Sequence, residues 1–289
     1  MKTTEADYPS RAVEATRRVL LELARVLGEY GDHVVLVGGW VPELLAPGAG
    51  HVGSTDVDLA LDHVALSDTG YARLRDLLDG AGYRNDPDPA RQFVFYRDVR
   101  LGDGGTPNPV VVELDLLAAE YGGTGKNRRS QAVQGTRPRK ARGADLAFER
   151  DLSVEVPLDG ALPDGRLARA HLRVAGPVPF LVTKAAALAL RDKPKDAYDV
   201  WFLLRHHPAG LDGLAAAVAA HASHGLVREA LGRLADAFAS VDHHGPVDVA
   251  RFRGMEPGTE AYDQARQDAL QRVAVLLDRV NPFTGDPEL

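Results

Sequence analysis

Residues 33–62, HVVLVGGWVPELLAPGAGHVGSTDVDLALD, decide the fold. The stretch reads as a buried strand over Val34–Val37, a glycine turn at Gly38 and Gly39, and a short helix over 40–45. A Gly/Pro-rich loop then leads into a second strand that carries Asp56 and Asp58. Successive side chains of an extended chain point to opposite faces, so Asp56 and Asp58 share one face while Val57 and Leu59 share the other. Two carboxylates held this close on a rigid strand repel each other, and a compensating cation is expected. Magnesium suits them, because it takes hard oxygen ligands from one or two carboxylates and completes its shell with water and phosphate. Gly38 and Gly39, lacking Cβ atoms, let backbone N–H groups approach a phosphate, and the helix behind them presents its positive end. Pro42 suits the first turn of that helix, where its missing N–H is not needed.

Working outward, a third acidic strand is expected. Val110 to Leu117 (VVVELDLL) reads as a strand reached from the strand 92–99 through the turn-rich LGDGGTPNP. Glu113 and Asp115 share one of its faces. If it lies beside the Asp56 strand, one of the two completes a three-carboxylate set able to hold two metal ions, the arrangement that clamps the attacking and leaving oxygens of a phosphoryl transfer. Asp115 is favoured because it sits deeper in the strand, and Glu113 remains the alternative.

Upstream, 12–28 has apolar residues at helical spacing ahead of Gly28, the mark of an amphipathic helix packed on a sheet. Residues 67–78 form another helix, beginning at the capping residue Ser67. Downstream, residues 126–142 (KNRRSQAVQGTRPRKAR) hold seven basic residues and no acid, and read as an exposed loop that could attract RNA or a triphosphate. Short strands follow over 146–174, with Pro163-Asp164-Gly165 as a hairpin turn. The segment GPVPFLVTKAAALALRDKPKDAYDVWFLLRHH, 176–207, reads as two helices, 180–191 and 194–205. Lys184 sits in the middle of the first among Val and Ala residues, so its ammonium must reach solvent or meet an anion. Arg191 lies two turns further on, and Asp196 and Asp199 share one side of the second helix. Further helices are expected over 211–222, 226–239 and 260–280.

The composition is that of a folded protein, 45% apolar and 26% charged, and the formal charge of −7 excludes a general nucleic-acid coat while leaving room for a local basic patch. There is no cysteine, so disulfides, thiolate metal sites and thiol nucleophiles are excluded. Only six lysines occur, so each one set among apolar residues is informative. The N-terminus lacks the order of a signal peptide, no apolar run is long enough to span a membrane, and a cytoplasmic protein is expected.

With these residues assembled, the chain resembles the nucleotidyltransferase superfamily that includes DNA polymerase beta, and within it the AbiEii-type and MenT-type toxins of bacterial toxin–antitoxin and phage-defence systems. Gly38-Gly39 and Asp56-Val57-Asp58 match the opening motif of that family. Lys184, Arg191, Asp196 and Asp199 match its later pattern of a helical lysine, an arginine and two aspartates three apart. Val52, next to His51, stands where the family often has arginine. The resemblance implies an α/β (α+β) fold, a mixed sheet flanked by helices over 1–175, followed by a mostly helical part over 176–289 that completes the active site. It implies transfer of a nucleoside monophosphate from an NTP to an acceptor hydroxyl, with two Mg2+ ions. By resemblance Asp56, Asp58 and Asp115 hold the metals, and Gly38, Gly39 and Ser54 contact phosphates. Lys184 neutralises the triphosphate with Arg191 nearby, and Asp196 or Asp199 orients the lysine or the base. A tRNA acceptor and a cognate antitoxin are implied, whereas transfer to a small antibiotic and an inactive binding protein are the alternatives.

Overall fold

A computed structural model provides the structure; it describes residues 2–62, 65–66, 68–102, 108–119, 139–149 and 151–280. The expected capping residue Ser67 and residues 126–138 of the basic stretch lie outside these.

The chain divides into two compact units, one of Tyr8–Leu44 with Val52–Gly176, the other of Met1–Asp7, Leu45–His51 and Pro177–Leu289. The first unit opens with helix α1 (Ser10–Val26) and contains strands β1 (Val34–Val37) and β2 (Asp56–Leu61), helix α2 (Val41–Leu45, whose last residue belongs to the other unit), helix α3 (Asp68–Gly80), and strands β3 (Arg84–Asn85), β4 (Val94–Val99), β5 (Val110–Ala119), β6 (Arg139–Ala141), β7 (Ser153–Ala161) and β8 (Leu167–Ala175). They form one mixed eight-stranded sheet in the order β3-β4-β5-β2-β1-β8-β7, with β6 pairing β5 off this path. All four residues of β1 are buried, which suits a central strand covered on both faces. β2 runs antiparallel to β1, and β5 lies parallel to β2.

The strand register assigns side chains to the two faces of the sheet. Residues paired across neighbouring strands share a face. Asp56 pairs with Glu113 and Asp58 with Asp115, while Tyr96 of β4 pairs with Glu113. Arg97, one residue along β4, therefore points to the other face, where its guanidinium makes a two-pronged contact with Glu22 of α1 at 2.9 and 3.0 Å. The amphipathic α1 thus covers the face opposite the acids, burying Val19, Leu20, Leu21 and Leu23.

The expected short strands over 146–174 are instead a 3-10 turn, Ala144–Phe148, and the long hairpin β7–β8, whose turn at Pro163-Asp164-Gly165 is where the sequence places it. Pro157 sits within β7, and a proline, having no N–H to give a ladder, is accommodated on an edge strand such as this. Of the basic stretch, residues 139–141 are strand β6 rather than loop.

The second unit is helical: α4 (Pro177–Leu190), α5 (Pro194–His206), α6 (Gly210–Ala219), α7 (Gly225–Ala237), α8 (His244–Phe252) and α9 (Glu260–Val280). α8 was not read from the sequence, being only nine residues with Gly245 and Pro246 in its first turn. α5 buries eleven of its thirteen residues, so it forms the centre of this unit rather than a surface layer. Among the described residues no helix is long and apolar enough to cross a membrane.

Candidate active site

On the strand unit the acids stand where alternation puts them. Asp58 and Asp115 are direct neighbours across the parallel β2–β5 pair, and Asp115 is buried while Asp56 and Asp58 are half-buried. Glu113 points further out and meets Arg91 at 3.4 Å. The inner position opposite Asp58 is therefore that of Asp115, and the outer carboxylate has an arginine beside it. Ser54, itself buried, donates its hydroxyl hydrogen to Asp56 Oδ1. That bond makes Ser54 an orienting neighbour of Asp56.

Gly38 explains the glycine pair. Its φ is +79°, in the left-handed region that favours glycine, and a Cβ there would stand 2.0 Å from Asp58 Oδ2. The backbone is pressed against a carboxylate, so the turn and the acid are one structural unit. The helix behind it, α2, has only five residues, and its dipole is correspondingly weak. A phosphate would meet backbone N–H groups at Gly38 and Gly39 more than a helix end.

Among the described residues, no three His, Cys, Asp or Glu side chains are gathered into a ready-made metal cage. Magnesium, unlike zinc or calcium, is seldom held by such a cage; it is bound through one or two carboxylates with water and substrate phosphates filling the rest. The Asp58–Asp115 neighbours, with Asp56 on the same face, supply hard oxygen donors of that kind.

On the helical unit the charges are tightly arranged. Lys184, from the middle of α4, is buried and donates to Asp196 Oδ1 and Asp199 Oδ2, both at 2.7 Å. Arg191 reaches the same Asp196 through Nε at 2.7 Å and Nη2 at 3.0 Å. Burial alone would push the Lys184 ammonium down, but Asp196 and Asp199 hold it above its usual value. Burial pushes the Asp196 carboxyl up, and Lys184 with Arg191 outweighs this to bring it to about 2. Asp199 is driven below the usual carboxylate range against its burial, by Lys184, Lys195 and a hydrogen bond from His51.

Lys195 and His51 were not singled out in the sequence. Lys195 is 1% exposed and donates to Asp199 Oδ1 at 2.7 Å from one turn away on α5. His51 Nε2 lies 3.0 Å from the same oxygen, with its ring stacked on Tyr198 at 5.4 Å and edge-on to Phe202 at 4.7 Å. Its pKa falls to about 4, first from burial and then from Lys195, against the pull of Asp199. The imidazole is therefore neutral at pH 7, and donation to a carboxylate selects the tautomer protonated at Nε2. The scarcity of lysine was a signal that could have exposed Lys195; nothing local announces His51.

The model of the AbiEii family, described as nucleotidyl transferase AbiEii toxin of a type IV toxin–antitoxin system, matches residues 20–272. The chain belongs to the AbiEii family. AbiEii proteins are nucleotidyltransferase toxins by that description, and the match takes in the strand acids and the lysine helices together. Among solved structures, the chain is similar to MenT4, a nucleotidyltransferase toxin from Mycobacterium tuberculosis H37Rv. That similarity is 17% identity over 95% of this chain and 90% of the other, with a TM-score of 0.43. A search of curated proteins finds no match. Membership of the AbiEii family supports nucleotidyltransferase activity, NTP as substrate and an antitoxin partner, and AbiEii-type enzymes generally work with a divalent metal.

Proposed function

We propose that this chain moves a nucleoside monophosphate from an NTP to a hydroxyl of tRNA, as a toxin or phage-defence effector restrained by a cognate antitoxin. The supporting observation is the β2–β5 register, which sets Asp58 beside Asp115 with Asp56 on the same face, next to the Gly38 turn that a side chain would disrupt. Asp56, Asp58 and Asp115 would hold Mg2+, and bound metal would supply charge for the triphosphate and a more acidic acceptor hydroxyl. The acceptor oxygen attacks the α-phosphorus, the bond from that phosphorus to the pyrophosphate oxygen breaks, and the hydroxyl proton is released to water.

The chain's own residues have distinct tasks in this scheme. Ser54 keeps the Asp56 carboxylate oriented through its hydroxyl. Gly38 and Gly39 offer backbone N–H groups to phosphate oxygens, because no Cβ holds the phosphate away. Lys184 neutralises the triphosphate: its ammonium has three donors, and two of them are aimed at Asp196 and Asp199. Arg191, 41% exposed in its side chain, adds positive charge beside Asp196.

Purified protein incubated with magnesium, each α-labelled NTP in turn and total tRNA tests the reading. Labelled tRNA that disappears on adding EDTA is the expected result. Label on a small amino sugar instead would point to an antibiotic-modifying enzyme, and no transfer to any acceptor would sink the catalytic reading.

A further inference from the structure

Asp199 is completely buried and is gripped from both sides: Lys184 bonds its Oδ2, while Lys195 and His51 bond its Oδ1. Lys184 therefore spends much of its charge on two carboxylates, Asp196 and Asp199. Arg191 shares Asp196 with it, and Lys195 shares Asp199. Remove Lys195 and Asp199 Oδ1 loses one of its two donors. Remove the His51 bond as well, and both oxygens of Asp199 are left to Lys184 alone.

Stability is a weak reason for keeping such an arrangement. A buried ion pair commonly contributes less than well-packed apolar groups of the same size would, because desolvation offsets the attraction. Lys195 is one of six lysines in the chain and one of its largest fully buried side chains. His51 comes from the segment Leu45–His51, far from α5 in sequence, and the rings of Tyr198 and Phe202 fix its orientation. Two donors from separate segments meet on the one oxygen that Lys184 does not use.

We propose that His51 and Lys195 are positioning residues for Lys184: by holding Asp199 Oδ1 they leave Asp199 Oδ2 to Lys184 and fix the direction of the ammonium that meets a triphosphate. The inference rests on the nucleotide-transfer reading for its substrate, and its test separates the two.

Inorganic tripolyphosphate, titrated calorimetrically into the full-length protein, is the probe, with NTP and acceptor KM measured alongside. His51→Leu and Lys195→Met should weaken tripolyphosphate binding and raise the NTP KM about tenfold, while His51→Gln and Lys195→Arg, which keep a donor, stay within about threefold of wild type. The acceptor KM should not move. Wild-type binding in folded His51→Leu and Lys195→Met proteins overturns the proposal, as does an equal loss in the conservative variants.

Because the apolar variants could fail to fold, 15N-lysine NMR of the wild type provides an independent measurement, made tractable by six lysines. Tripolyphosphate should shift the Lys184 Nζ resonance and leave that of Lys195 protected from solvent exchange. A shift of neither, or a direct contact shift at Lys195, overturns the proposal. If the wild type shows this pattern but transfers no nucleotide, the transfer reading falls and the positioning stands; if it transfers normally while all four variants behave alike, the positioning falls.

Discussion

The strand unit and the helical unit each present a cluster of aspartates, and the clusters are built on opposite principles. On the strands, Asp56, Asp58, Glu113 and Asp115 are set on one face by pleat and register, so their closeness is imposed by the backbone. On the helices, Asp196 and Asp199 are enclosed by Lys184, Lys195, Arg191 and His51, and their closeness is sustained by the protein's own donors. The lesson is that a carboxylate's role shows in what neutralises it. On the proposed reading, the acids gathered by the sheet serve a metal ion, whereas the acids wrapped in ammonium groups position those ammonium groups.

The comparison can be broken most severely at Asp58. Asp58→Ala should cut nucleotide transfer by at least ~10³-fold, equivalent to about 4 kcal/mol of barrier, while the melting temperature stays level or rises as like-charge repulsion is relieved. Labelled-NTP incorporation and thermal melting on the same sample check it; a destabilised Asp58→Ala would mean that the strand acids are structural after all. Magnesium should raise the melting temperature of the wild type and fail to do so for this variant.

Asp199→Ala should behave in the opposite way. It takes an acid partner from two buried lysines, leaving Lys184 to Asp196, and is expected to cost about 3–5 kcal/mol of folding stability, measurable by urea denaturation. An Asp199→Ala protein as stable as wild type would erase the contrast between the clusters.

Gly38→Ala tests the contact between turn and acid. The left-handed φ and the 2.0 Å approach to Asp58 Oδ2 together should cost about 1–3 kcal/mol in stability. Transfer should fall with it, since the Asp58 carboxylate has to move; an alanine variant with normal transfer would show that the acid has room.

The smallest effects are in pH. His51 titrates near 4 in the folded protein against an ordinary 6.5, so the unfolded chain binds more protons between those values. Stability is therefore full above about pH 6.5 and is lost as pH falls toward 4. Asp248, buried on α8, works the other way: burial first, with Asp192 and Asp196 adding, raises it to about 6, so stability declines as pH rises from 3.8 to 6. The two partly cancel between pH 4 and 6. Denaturation midpoints of Asp248→Asn should expose a steeper acid loss than the wild type shows, and those of His51→Gln a shallower one.

Much of this was legible in the chain because the signals are local. Gly38-Gly39, the alternation around Asp56 and Asp58, and the helical spacing of Lys184, Asp196 and Asp199 are set by backbone geometry within a few residues. α8 was missed because Gly245 and Pro246 resemble turn residues, although proline is tolerated in a first helical turn. Lys195 was passed over because a lysine on a helix four residues before an aspartate ordinarily marks a solvated i,i+4 pair.

The sequence by itself determined which side chains share a face and which residues could carry metal, phosphate and ammonium chemistry, since handedness and pleat impose those relations wherever such elements form. Tertiary structure alone decided that Asp115 stands beside Asp58 with Glu113 further out, and that His51 meets Asp199 across 148 residues of chain. Strand neighbours and long-range hydrogen bonds depend on how loops close and cores pack, and local spacing carries no record of either.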